Sequence, residues 1–269
     1  MKKVIMQKAE ANIKASVEKL ILELGGFERF VKAGETVLIK PNYNTADPPP
    51  ASTALDFLQA TVELCFEAGA GKVIVGESST VTMYDHSLFT KKILCEACVY
   101  DLEKLPKPPE VYIFDDHEWV KKYTASAKYI KKVSLPRIID EVDKIILLPC
   151  CKTHFIAQYT GALKLIVGFM KPSERIKLHM GHEVPEKVAE MNTVYKPDLV
   201  IMDARKCFIN GGPGKGEFRE PGLILASEGR VAIDIEEVKI IQSFEGNSLA
   251  RQKPEELRQI KYAKELGIE

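Results

Sequence analysis

Short apolar, β-branched runs alternate along the chain with segments of helical periodicity. The apolar runs predict strands at Val4–Met6, Thr36–Lys40, Lys72–Gly76, Val111–Phe114, Lys144–Leu148, Leu199–Asp203 and Leu223–Ala226. The helical patterns between them cover Ile13–Leu24, Thr53–Ala68, Leu88–Leu102, Val184–Tyr195, Val231–Phe244 and Glu255–Leu266. Gly25-Gly26 and Gly69-Ala70-Gly71 are suited to end helices, and Pro254 suits the first turn of the last one. This order predicts an α/β fold, a doubly wound and mostly parallel sheet with helices on both faces. A single domain over residues 1–269 is expected, with a small insert or hairpin around 115–133, where the periodicity weakens.

Polar residues gather where the apolar runs stop. One run ends in Lys40-Pro41-Asn42, another in Glu77-Ser78-Ser79. A third leads into Cys150-Cys151-Lys152-Thr153-His154, and a fourth into Asp203-Ala204-Arg205-Lys206. In open α/β sheets the carboxyl ends of the strands form the ligand crevice, so these groups are candidates for one site. Lys152 and Lys164, with Arg175 and Lys177, make one region locally basic, which favours a small carboxylate or phosphate held by charge-assisted hydrogen bonds. Lys40, Asn42 and the run from Gly211 to Gly216 would bind the same ligand. Gly211, Gly212 and Gly214 would offer backbone N–H groups in an anion-binding nest. A plain flexible turn and solvated lysines fit these segments as well.

His154 and His179, with His182 nearby, are candidate ligands for a divalent metal, joined by Glu77 or Asp203. His154 is equally a candidate acid/base, beside Lys152 and Lys164 as catalytic residues. Cys95 and Cys98 are expected on the buried face of a helix. Cys150 and Cys151, adjacent on one strand end, should point to opposite sides, and Lys152 could activate whichever faces the crevice.

Charge narrows the partners. Lys and Arg total 38, as do Asp and Glu, which disfavours a nucleic-acid or membrane-surface binder. The N-terminus has no apolar core of a signal peptide, and no apolar run reaches membrane-spanning length, so a cytoplasmic protein is expected.

The chain resembles the domain of unknown function 362 family of bacteria and archaea. The resemblance is carried by VLIKPN (37–42), AGAGKVIVGESS (68–79), LPCCKTHFIAQYTGALKLIVGFM (147–170), GGPGKG (211–216), LILASEGRVAIDIEEV (223–238) and YAKELGI (262–268). Its most diagnostic part is Lys152 and His154 followed by Thr160, Gly161 and Lys164. Leu165 stands where the family usually has asparagine, and Glu228-Gly229-Arg230 replaces the usual late turn while Asp234 is kept. No ferredoxin-like cysteine cluster accompanies these motifs, so electron transfer is not implied. The resemblance implies the fold and a site, without a reaction.

Three functions stay open on these grounds. One is an isomerase, racemase or hydrolase for a small anion, metal-assisted or not. Another is a metal or iron–sulfur carrier using His154, His179, Cys150, Cys151 or Cys207. The third is a non-catalytic metabolite-binding module. The expected partner is a small anionic molecule, with no nucleic acid and no membrane, and a homodimer is compatible with the sequence.

Overall fold

The computed structural model describes residues 1–79 and 86–269. Its strands are β1 (Val4–Lys8), β2 (Thr36–Lys40), β3 (Lys72–Glu77), β4 (Glu110–Ile113), β5 (Trp119–Tyr123) and β6 (Lys132–Pro136). They continue with β7 (Lys144–Leu147), β8 (Cys150–His154), β9 (Gln158–Tyr159), β10 (Leu199–Gly211), β11 (Gly216–Arg219) and β12 (Leu223–Ser227). The helices are α1 (Ile13–Leu22), α2 (Phe27–Phe30), α3 (Leu55–Glu67), α4 (His86–Glu96), α5 (Gly161–Lys164), α6 (Pro172–Leu178), α7 (Val184–Met191), α8 (Arg230–Gln242) and α9 (Arg258–Glu265).

The main sheet runs β1-β12-β10-β7-β2-β3-β4. Pairing is parallel from β10 through β7, β2 and β3 to β4, and only β12 runs against its neighbours β1 and β10. The fold is therefore the mostly parallel α/β arrangement expected. Strand residues divide between two cores, because successive side chains leave a strand on opposite faces. Val37, Ile39, Val73 and Val75 pack with Val17, Leu20 and Ile21 of α1 and with Phe57, Leu58 and Val62 of α3. Leu38, Ile74, Ile145 and Leu147 pack on the other face with Val188 of α7, Val231 and Ile235 of α8, and Ile260 of α9.

Strand order reverses at one place. From β2 the chain builds outward through β3 and β4, then returns to β2's other edge as β7 and builds outward again through β10. The gap between the carboxyl ends of β2 and β7 is thus the switch point, where the connecting segments leave in opposite directions and open a crevice. Just past β7 the chain continues as β8, which pairs with the extended second half of β10 and turns back on itself as β9. A separate two-stranded antiparallel sheet joins β5 and β6.

Several element ends differ from expectation for local reasons. Thr53 does not start α3, because its hydroxyl accepts from the Asn42 N–H at 2.8 Å and donates to the Leu148 carbonyl at 3.3 Å. It thereby ties the loop after β2 to the end of β7. The helix expected to Leu102 stops at Glu96, and Cys98 then takes a left-handed conformation before a 3₁₀ turn over Val99–Lys104. Cys95 and Cys98 are both exposed, contrary to the reading that they pack in the core. The buried side of α4 is Thr90, Ile93 and Leu94, and Cys95 lies a further ~100° round the helix. Pro254 opens a 3₁₀ turn, and the final helix begins at Arg258. Among the described residues, no helix is long and apolar enough to cross a membrane.

Gly76, the residue before the site-bearing end of β3, has no room for a side chain. A Cβ there would stand 2.5 Å from the Phe114 ring and 2.8 Å from Leu38 Cδ1. We expect Gly76→Ala to lower the free energy of unfolding by about 1–3 kcal/mol through overpacking, measured by urea denaturation.

Candidate functional site

A cavity of about 240 Å³ opens at the switch point. This is slightly below the roughly 300–1,000 Å³ typical of ligand pockets, and so suited to a small molecule. Lys40 and Glu77 enter it from the ends of β2 and β3, Lys152 and His154 from β8, Lys164 from α5, and Arg175 and His179 from α6 and its end. Leu165 and Val167 supply apolar wall. Four cationic side chains thus face one cavity, and among the described lining residues Glu77 is the only carboxylate.

Glu77 is already engaged. It forms a buried ion pair with Lys40, accepts from the Tyr43 N–H at 2.9 Å and accepts from the Ser78 N–H at 2.9 Å. Gly168 makes room for this pair, since a Cβ there would stand 2.7 Å from Lys40 Nζ. Arg175 donates through Nε to the Met170 carbonyl at 2.9 Å and through Nη2 to Ser78 Oγ at 2.9 Å. Lys152 Nζ donates to the Ala51 carbonyl. Lys164 differs from these: its amine takes part in no hydrogen bond or ion pair among the described residues. Burial, then Lys152 and Arg175, push Lys164 down to about 7, because each disfavours its charged form. Burial lowers Lys40 and Lys152 as well, and brings Arg175 down to about 10. Thr160 Oγ1 and the Tyr43 hydroxyl, both buried on the cavity wall, have no hydrogen-bond partner among the described residues.

The two histidines hold their protons on different nitrogens. His154 Nδ1 accepts from the backbone N–H groups of Ile156 at 3.1 Å and Ala157 at 3.3 Å. A nitrogen accepting these bonds carries no proton, so the neutral ring is protonated at Nε2. Burial, followed by Lys164, Lys152 and His179, drives His154 down to about 2 and keeps it neutral. It is therefore built as an Nε2–H donor, and its expected roles as general base and metal ligand do not fit this tautomer. His179 is the reverse. Its Nδ1 lies 2.7 Å from the Arg175 carbonyl, which can only accept, so Nδ1 holds the proton and Nε2 keeps its lone pair. Burial lowers its pKa too.

The lysine-bearing segment is held by two carboxylates from α8. Asp234 accepts from the N–H groups of Ala162 at 2.6 Å and Leu163 at 3.1 Å, and from the Tyr159 hydroxyl at 3.1 Å. Glu237 accepts from the Lys152 N–H at 2.9 Å. Both residues are fully buried. Burial raises Asp234 to about 7 and Glu237 well above the usual carboxylate range. Gly161 is left-handed at φ +59°, and a Cβ on it would stand 2.5 Å from both carboxylates. Among the candidate residues, sequence reasoning passed over this pair. The signal was present as two acids, Asp234 and Glu237, spaced three apart and so on one side of a helix whose neighbouring positions Ile233, Ile235 and Val238 are apolar.

Other expected residues lie elsewhere. Asp203 is held by Arg205, with its carboxylate 2.7 Å from Nη2, and lines a separate crevice with Cys150 and Asp56. Of the glycine-rich run, Pro213 reaches the cavity while Gly211, Gly212 and Gly214 do not. Gly211 donates to Asn210 Oδ1 at 3.0 Å and Gly212 to the Lys215 carbonyl at 2.7 Å. Both N–H groups are consumed in the β10–β11 turn, which removes the expected nest. Cys150 and Cys151 do face opposite sides: Cys151 joins one core, whereas Cys150 lies 3.9 Å from Thr53 Oγ1. Burial outweighs Lys152 and pushes Cys150 up to about 11, so it is a thiol and not an activated nucleophile. Among the described residues, no three His, Cys, Asp or Glu side chains converge as a metal site. With Glu77 paired, Asp203 elsewhere and His154 protonated at Nε2, the expected metal set does not assemble.

Fold and cavity together define an α/β protein whose switch-point crevice is positively charged. The chain belongs to the DUF362 family, a domain of unknown function, whose sequence profile matches residues 37–238. It is 28% identical over 235 residues to the thylakoid-associated protein sll1697 of Synechocystis sp., covering 85% of this chain and 70% of that one. A crystal structure of a Thermotoga maritima protein shares the fold at 9% identity and a TM-score of 0.50, with 96% of this chain covered. The lactate racemase apoprotein of Thermoanaerobacterium thermosaccharolyticum gives 12% identity and a TM-score of 0.45 over 76% of this chain. The chain spans 60% of the Thermotoga protein's length and 50% of the racemase's.

Asp234→Asn should expose how much the site relies on α8. An amide in place of the carboxylate sets an NH₂ against backbone N–H donors, at a cost of about 1–3 kcal/mol in unfolding free energy. Chemical denaturation measures that loss.

Proposed function

We propose that this protein binds a small carboxylate or phosphate in the switch-point cavity and acts on it. The observation that carries this reading is the amine of Lys164, unpartnered among the described residues, in a cavity whose one described carboxylate, Glu77, is already paired with Lys40. Like charges in a partly buried site repel one another until an anion enters, and that repulsion is part of what depresses Lys164. Lys152 has three ammonium protons and gives one to Ala51, so it has further donors to offer the anion. His154 Nε2–H and the orphaned Thr160 hydroxyl add neutral donors. The positive charge lines a small concavity, which suits a small ligand and not a nucleic-acid backbone.

His179 favours an enzyme over a passive carrier. His179 lines the same cavity, and its Nε2 lone pair is a proton acceptor beside groups that would polarise a substrate oxygen. Proton abstraction and return, as in an isomerase or racemase, needs that pairing.

The test is calorimetric titration with inorganic phosphate and with pyruvate. We expect Lys152→Met to weaken binding about tenfold or more, the loss of one charge-assisted hydrogen bond. Lys121→Met, at an exposed position on β5, should leave binding unchanged. Failure of both anions to bind the unaltered protein, or equal weakening by the two substitutions, would contradict the reading.

A further inference from the structure

We propose that Lys164 forms an imine with a small 2-oxo acid held in this cavity. The inference rests on the anion-binding reading and extends it by naming the substrate class and the reacting atom.

Three lysines line the cavity, and their amines differ in one respect that matters for covalent chemistry. Lys40 Nζ is spent on Glu77 and the Pro41 carbonyl. Lys152 Nζ is anchored to the Ala51 carbonyl. Among the described residues, Lys164 Nζ has no partner and no carboxylate pairs with it to hold it as an ammonium. A lysine desolvated beside other cations is a recurrent way of keeping an amine nucleophilic at neutral pH. Its ordinary value of 10.5 falls to about 7, so a large share of the amine is neutral under physiological conditions.

The surroundings match the other two parts of a 2-oxo acid. The carboxylate has Lys152 and the field of Arg175 to face. The ketone oxygen has the His154 Nε2–H, a neutral donor that gains strength as charge builds on that oxygen. The ring cannot switch to an acceptor at Nε2 without surrendering the two backbone bonds at Nδ1. The apolar wall of Leu165 and Val167 suits a short carbon chain, and the small cavity volume excludes a long one.

The step balances without an oxidant or reductant. The Lys164 nitrogen lone pair attacks the ketone carbon, a C–N bond forms, and the carbonyl oxygen takes up a proton to give a carbinolamine. That oxygen then leaves as water, carrying off the second amine hydrogen, and a C=N bond remains. Protonating the imine nitrogen makes the adjacent carbon acidic, and the His179 lone pair is on the same wall to receive its proton.

The experiment incubates the full chain with pyruvate, adds sodium borohydride to reduce any C=N bond, and maps the modified peptide by mass spectrometry. Pyruvate binding is measured by calorimetry on the same preparation. We expect an adduct on Lys164 at least about tenfold above that on any exposed lysine, as its greater neutral fraction dictates. Excess inorganic phosphate should suppress it, and Lys164→Arg should lack it. Mapping the unaltered chain keeps the test valid if the variant does not fold. Pyruvate binding without an adduct on Lys164 would overturn the imine and leave the anion reading standing. Labelling spread over surface lysines and indifferent to phosphate would overturn it equally. If neither pyruvate nor phosphate binds, both readings fall.

Discussion

The site depends on two carboxylates buried in α8. Asp234 and Glu237 bind backbone N–H groups on both sides of the β8–β9 turn, at Lys152 on one side and at Ala162 and Leu163 on the other. Those bonds fix the spacing between Lys152 and Lys164. They also set Gly161 in a conformation and a space that a side chain could not share. Burying two acids three residues apart is costly, and burial raises both. Hydrogen bonds from the N-terminus of α5 offset part of that cost, because N–H groups there have no partner within the helix. The diagnostic Lys-x-His and Thr-Gly-x-x-Lys segments and the late Asp234 are therefore parts of one structure, though Asp234 comes 70 positions after Lys164 in the chain.

On that frame the cavity gathers positive charge and withholds the counter-charge. Lys40 has Glu77, but among the described residues nothing comparable faces Lys164. An anion entering the cavity favours the ammonium form of Lys164, so binding a simple anion takes up a proton at neutral pH and weakens as pH rises above about 7. A 2-oxo acid adds a second option, since it offers carboxylate to Lys152 and a carbonyl carbon to the neutral amine. One cavity can thus hold phosphate as a spectator and a keto acid as a reactant, with the protonation of a single lysine separating the two.

The sheet and the location of the crevice were legible in the sequence because both follow from local pattern. Continuous β-branched runs announced strands buried on both faces, and the polar residues at their ends announced the crevice. Lys40, Lys152, His154 and Lys164 do meet there, joined by Asn42, Glu77 and His179. What the sequence concealed was set by contacts distant in the chain. Asp203 carries a strand-end carboxylate like Glu77, yet Arg205 claims it and turns it into another crevice. Gly211 and Gly212 spend their N–H groups on their own turn. The proton position on His154 depends on the backbone of Ile156 and Ala157, which no residue pattern encodes. Cys95 fell on the exposed side of α4 because Ile93 and Leu94 had already fixed the buried one.

The most direct measurement is an NMR titration of the Lys164 side chain, with lysine labelled with ¹³C at Cε, in the empty protein and in the presence of phosphate. The account predicts a midpoint near 7 when empty and an upward shift once phosphate is bound. A midpoint near the ordinary lysine value of 10.5, the same with and without phosphate, would contradict it.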